Sequence, residues 1–145
     1  DRIEQRKDGS YAILDYKTGQ TPSEKQVHTG LSPQLTLEAA ILKGGGFKDI
    51  AAGASVTELT YVALRGGQLG GKDDPIEFKD GTTPDSQADK ALKRLTGVAA
   101  KFALETTSYL SLVHPMWKTR YGDYDHLARV KEWSLSGGAD DGGGA

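Results

Sequence analysis

The sequence predicts an α/β (α+β) fold in which a small mixed central β-sheet is flanked by helices. Three observations carry this reading. An apolar run, "AILDY" at 12–16, follows a "KDG" turn and reads as the second strand of a hairpin. "SVTELTYVALRGG" at 55–67 is rich in β-branched and aromatic residues and ends in a glycine pair. Two other stretches repeat their apolar residues with the helical period, which gives the order ββαβ(β)α.

Residues 1–17, "DRIEQRKDGSYAILDYK", make the hairpin. Its register matters because strand side chains alternate between faces. A two-residue Asp8-Gly9 turn pairs Asp1 with Tyr16. A three-residue loop, Lys7-Asp8-Gly9 with Gly9 left-handed, pairs Asp1 with Asp15 and sets Asp1, Asp15 and Lys17 on one face. The second register is the one predicted. Residues 18–31 read as a loop, punctuated by Gly19, Pro22, Ser23 and Gly30.

"SPQLTLEAAILKGGG" at 32–46 starts a helix with Ser32 as N-cap and Pro33 at the first helical position, and glycines 44–46 stop it. After the strand within 55–67, "GGQLGGKDDP" reads as a flexible connection and "IEFKDG" as a candidate short edge strand. A long helix is predicted over 84–104 with Thr83 as cap. Ala88, Ala91, Leu92, Leu95, Ala99 and Phe102 form its buried stripe. Residues 105–122 read as irregular. "DYDHLARVKEWS" at 123–134 reads as a short amphipathic helix docking through Leu127, Val130 and Trp133, and the glycine-rich tail 136–145 as disordered.

At 145 residues the chain suits one domain with a real core, and its 37% hydrophobic content is that of an ordinary globular protein. The net charge of −2 excludes nucleic-acid binding through an overall basic field, so any such contact uses a local patch or a partner's charge. With no cysteine there is no disulfide, cysteine-held zinc or iron–sulfur cluster. No run of about 18 apolar residues suggests a membrane span. The first residue is Asp rather than Met, and the expectation is a piece of a longer protein.

The chemistry concentrates at the end of the hairpin. Period two points Asp15 and Lys17 to the same side, while Tyr16 faces the opposite layer. Two carboxylates on neighbouring strands, backed by a main-chain carbonyl, are the oxygen ligands that Mg²⁺ prefers. A metal there relieves the repulsion between the carboxylates and offsets charge developing on a phosphate, and a lysine beside it orients the attacking water. D-x-K alone is uninformative, since ordinary strand ends produce it by chance.

The full string "DRIEQRKDGSYAILDYKTG" is more specific. It resembles the nuclease core of the PD-(D/E)xK superfamily in its RecB-like branch. The resemblance implies a restriction-endonuclease-like core, truncated at its N-terminus, with residues 1–135 as the nuclease domain. It implies Asp1 and Asp15 as metal-binding carboxylates, the Tyr16 carbonyl as a further ligand and Lys17 as the catalytic lysine. The family's downstream Q-x-x-x-Y motif is met by Gln34, but Glu38 stands where the tyrosine is expected. Spacing of four keeps both on one helical face.

"PSEKQV", "PQLTLEAAIL" and "YGDYDHLARVKEWS" are further similar to the end of AddB, a subunit of the bacterial AddAB helicase–nuclease. That likeness implies a cytoplasmic exonuclease resecting broken DNA ends. Its partners would be DNA and a helicase subunit, and its cofactor Mg²⁺, with Mn²⁺ as a substitute and no iron–sulfur cluster. Lys25 and Gln26, bordering the site, are candidate DNA-backbone contacts with Gln34. The family's upstream helix, which completes the metal site, is not in this chain. The alternatives are an inert nuclease-fold domain that binds DNA or a partner, and a different nuclease of the same fold. The histidines at 28, 114 and 126 have no ligand spacing, and the acidic "DYDH" reads as a helix start.

Overall fold

The amino-terminal hairpin closes through the three-residue loop. The computed structural model describes residues 1–66 and 70–109. In it β1 (Arg2–Gln5) pairs antiparallel with β2 (Tyr11–Lys17) in the register Arg2↔Leu14, Ile3↔Ile13, Glu4↔Ala12 and Gln5↔Tyr11. The Arg6 N–H donates to the Ser10 carbonyl at 2.7 Å and the Gly9 N–H to the Arg6 carbonyl at 3.0 Å, leaving Lys7, Asp8 and Gly9 as the loop. Gly9 sits at φ +86°, a conformation that costs any other residue a Cβ clash. The Ser10 hydroxyl, and then its N–H, donate to the Asp8 carboxylate at 2.7 and 3.0 Å and hold its pKa below the usual value.

Two helices follow β2. α1 (Glu24–Thr29) lies where a loop is expected. A reciprocal cap starts it: the Ser23 side chain accepts from the Gln26 N–H, and the Gln26 side chain accepts from the Ser23 N–H. Gly30 ends it at φ +78°. α2 (Gln34–Lys43) begins one residue later than expected, with Pro33 rather than Ser32 in the capping position and no side-chain cap.

β3 (Val56–Ala63) then pairs parallel with β2, with Ile13 opposite Leu59, Asp15 opposite Tyr61 and Lys17 opposite Ala63. Among the described residues the sheet order is β1-β2-β3-β4. β4 (Lys72–Pro75) pairs antiparallel with β3, inside the stretch expected to be a connection. The stretch expected as the edge strand begins just after it: Ile76, whose N–H still donates to the Leu59 carbonyl at 2.9 Å, is buried in the core and Phe78 is partly buried against it. The reason is positional: an edge strand is held by its partner's backbone and tolerates Lys, Asp and Pro.

The helices cover one face of the sheet. Ile13, Leu59 and Tyr61 from the strands pack with Val27, Leu35, Ala39, Leu42 and Ala88 from the helices, and each of these is fully buried or nearly so. A register shift between Tyr11 and Ala12 lets Val56 join the same core. The other face carries charges instead. Arg2 pairs with Glu4 at 2.8 Å, and Arg6 bridges Glu4 and Glu58 across the strands.

α3 (Pro84–Phe102) starts at a second reciprocal cap, between Thr83 and Ser86. Asp85 receives the Ser55 hydroxyl at 2.7 Å and the Val56 N–H at 3.0 Å, and Lys43 reaches Asp89 at 2.7 Å. These bonds fix its first two turns, where Ala88 and Ala91 are buried. The rest of the expected stripe is not buried: Leu92 and Leu95 are each 49% exposed, Ala99 is exposed, and Phe102 is 38% exposed. Periodicity identified the apolar face but not how far along the helix it is covered. The chain divides into two units, Asp1–Lys101 and Phe102–Ala145. In the second, the Phe102 and Tyr109 rings stack at 4.9 Å. The helix expected at 123–134 and the tail at 136–145 lie outside the described residues. No helix among the described residues is long and apolar enough to cross a membrane.

Nothing lies within 4 Å of a Cβ built on Gly9, so substitutions there test the backbone alone. Gly9→Val should destabilise the chain by about 1–2 kcal/mol, and Gly9→Asn by less, since Asn tolerates the left-handed region. Urea unfolding of the 145-residue chain checks this, and equal midpoints would argue against this loop.

Candidate active site

Continuing the hairpin register by one residue places Asp1 opposite Asp15. The Arg6–Ser10 pair is hydrogen-bonded, and pairs alternate along an antiparallel ladder. Asp1 and Asp15 therefore fall at a non-hydrogen-bonded position, where Cα atoms stand only about 4.5 Å apart and side chains are closest. Asp1, Asp15 and Lys17 share the face that looks toward α2.

Asp15 is 2% exposed, on the central strand between β1 and β3. Lys17 Nζ stands 2.6 Å from Asp15 Oδ2. This contact is ionic without hydrogen-bond alignment, and among the described residues no aligned hydrogen-bond donor meets the buried Oδ2. Lys17 instead donates to Gln34 Oε1 at 2.9 Å. The Gln34 Nε2 in turn donates to Glu38 Oε1 at 3.1 Å and, more weakly, to Asp1 Oδ2 at 3.4 Å. The first residue of α2 thus joins both strands of the hairpin, and Glu38, one turn on, closes the set.

Tyr61 completes the floor. Parallel pairing sets it beside Asp15, its ring centroid lies 5.9 Å from Lys17 Nζ, and its hydroxyl is buried without a hydrogen-bond partner among the described residues. Burial, with the negative charges of Asp15 and Glu38, raises its pKa from 10.0 to about 12. Tyr61's place could not be read from the residues, since it depends on pairing between strands 46 residues apart. Glu38 was visible only as a departure from a motif, and its contact with Gln34 follows from their spacing of four on a helix.

The structure therefore brings together Asp1, Asp15, Lys17 and Gln34. The Tyr16 side chain faces away and is 40% exposed, so only its main chain could serve the site. Lys25 and Gln26 sit on α1 and line a separate depression of about 520 Å³ that Pro22 and Leu31 also border. The Gln26 Oε1 is engaged by the Ser23 N–H at 2.8 Å, so that oxygen serves the helix cap.

As donors, two carboxylates and a main-chain carbonyl are hard oxygens of the kind a divalent cation takes. The buried Oδ2 of Asp15 fits that use. Among the described residues no group of three or more His, Cys, Asp or Glu side chains is arranged to hold a metal ion.

A family model described as the PD-(D/E)XK nuclease superfamily matches residues 1–112. An uncharacterized protein of Rickettsia conorii is 51% identical over 47 residues, which cover 32% of this chain and 6% of that protein. An uncharacterized protein of Rickettsia felis matches at the same identity and coverage, and one of Rickettsia typhi at 51% over 5% of its length. The matched segment is thus a small fraction of these relatives. No solved structure gives a significant match.

Tyr61's folded-state pKa lies above its unfolded value, so folding favours the neutral phenol. That contribution is full below pH 10 and is lost as pH rises through about 12. Tyr61→Phe should raise stability at neutral pH by about 1–3 kcal/mol, because it removes a buried hydroxyl with no hydrogen-bond partner among the described residues. It should also remove roughly 2–3 kcal/mol of the alkaline loss. Urea midpoints of the two proteins between pH 7 and 12 measure the difference, and parallel curves would place the phenol in contact with water.

Proposed function

The chain belongs to the PD-(D/E)XK nuclease superfamily, and from that premise we propose that it is the metal-dependent exonuclease domain of a helicase–nuclease of the AddAB type, resecting broken DNA ends. One observation carries this reading: a lysine amine held 2.6 Å from a buried strand carboxylate and 2.9 Å from a helix glutamine, with a second carboxylate across the ladder. A scaffold has no need to gather an amine against a carboxylate at 2% exposure, since burying charge is costly.

In this reading Asp1, Asp15 and the Tyr16 carbonyl hold Mg²⁺, or Mn²⁺ in its place. When bound, the cation neutralises charge building on the scissile phosphate. The chain's own residues do the positioning. Lys17 carries its ammonium at the edge of the carboxylate pair, with its side chain about one-third exposed, where it can donate to a phosphate oxygen or orient the attacking water. Gln34 restrains the lysine from the helix side. Hydrolysis forms a bond between water oxygen and phosphorus and breaks one ester bond; the water gives a proton to solvent and the departing sugar oxygen takes one up from solvent to leave as a hydroxyl. Nothing in the set reads bases, so substrate choice rests on the backbone and on a free end. Lys25 lines the depression on α1 and is the proposed DNA-backbone contact. A helicase subunit would supply the strand.

Lys17→Ala should lower Mg²⁺-dependent hydrolysis of linear DNA by about 100-fold or more while leaving DNA affinity in Ca²⁺ unchanged. Linear and covalently closed DNA are compared in the same assay, in the parent protein and in the 145-residue chain. Equal cleavage by both proteins would overturn the role of Lys17, and cleavage of closed circles would make the enzyme an endonuclease.

A further inference from the structure

Glu38 belongs to no role assigned above, yet its carboxylate ends the chain of contacts that starts at Asp15. We propose that Glu38 is a positioning residue: by accepting from the Gln34 amide it fixes which way round that amide stands, and so holds the Gln34 oxygen on Lys17. The proposal rests on the nuclease reading for its consequence in catalysis, but not for its geometry.

An amide side chain has a donor end and an acceptor end, and turning it over exchanges them. In Gln34 the oxygen faces the Lys17 ammonium at 2.9 Å, and the nitrogen faces Glu38 at 3.1 Å and Asp1 at 3.4 Å. Both N–H groups thus meet carboxylates, and the oxygen meets a cation. Turned over, the amide would press N–H groups against an ammonium and lone pairs against two carboxylates.

Of the two carboxylates, Glu38 is the better anchor. Its contact is the shorter, it is half-buried, and it lies one turn along the same helix, whereas Asp1 is exposed. Glu38's charge also reaches the Tyr61 phenol, which places its field within the floor of the site. Without Glu38 only the longer contact with exposed Asp1 holds the nitrogen end, so the amide is less firmly fixed and Lys17 loses a steady acceptor. The ammonium then relies on its unaligned contact with Asp15 and on the Tyr61 ring. That would blur the position of the amine that the reaction uses.

The test uses Glu38→Ala and Glu38→Gln in the 145-residue chain. Alanine suits a helix, so folding is not at risk, and far-UV circular dichroism verifies it. The Gln34 side-chain amide is followed by ¹⁵N NMR. Its two protons should be well separated and slow to exchange in the unaltered chain. They should move toward free-glutamine behaviour in Glu38→Ala and be largely restored in Glu38→Gln, whose carbonyl can still accept. In DNA hydrolysis, Glu38→Ala should lose about 10- to 100-fold, the usual effect of removing a group that orients a working residue. Adding Glu38→Ala to Gln34→Ala should cost nothing more, because the first acts through the second. A Gln34 amide unmoved by Glu38→Ala would overturn the proposal, and so would additive losses in the double variant. The amide readout decides the positioning role whether or not hydrolysis is seen, so a failure of the nuclease reading is separately visible.

Discussion

Burying Asp15 at 2% exposure takes its carboxylate out of water, and a charge so placed costs several kcal/mol unless other charges and dipoles replace its hydration. Much of the neighbourhood can be understood as that replacement. Lys17 supplies the countercharge two residues on along the same strand, at the spacing that returns a side chain to the same face. The lysine then needs its own acceptor, and Gln34 provides it from α2. Gln34's nitrogen needs acceptors in turn, and Glu38 and Asp1 take that place. The compensation is incomplete, since the contact at Oδ2 is ionic and unaligned.

α2 serves two purposes at once. Leu35, Ala39 and Leu42 go into the core, while Gln34 and Glu38 look along the sheet toward the ends of β1 and β2. Because α2 begins at Gln34 with no side-chain cap, its positive end lies beside the carboxylates. That field favours negative charge there, whether of the aspartates or of a phosphate. The opposite face of the sheet follows different rules. Its Arg2–Glu4 and Arg6–Glu58 pairs keep charge on the outside of β1 and β3, so the sheet is polar on one side and packed on the other.

The hairpin register was legible because two independent signals agree on it. Lys7-Asp8-Gly9 suits a three-residue loop, and only that pairing gathers Asp1, Asp15 and Lys17. α1 was legible too, in the Ser-x-x-Gln spacing of 23–26 and the glycine at 30, but Pro22 and Gly19 read more strongly as loop. β4 was not. "KDDP" has little strand propensity, and what makes it a strand is the free edge of β3 beside it. The α3 stripe was legible as a face and illegible as a burial, because coverage depends on which elements reach that far. Tyr61 is the clearest limit. Its identity, strand and alternation could all be read, but the strand it would lie against could not.

That limit bears on why two buried atoms of the site have no aligned hydrogen bond among the described residues. Asp15 Oδ2 and Tyr61 Oη belong to residues set side by side by the β2–β3 register. An unsatisfied buried hydroxyl costs about 1–3 kcal/mol, and exchanging the phenol for a phenyl ring would relieve that cost without changing the packing shape. A fold under no demand but stability would drift toward that exchange, since neighbouring Ile13 and Leu59 pair across the same strands without any such cost. The polar cost falls instead at the one place on the sheet where an amine, three carboxylates and a helix start converge. Local rules of packing are expected to be broken where chemistry requires it. Here the break and the convergence occupy the same few residues.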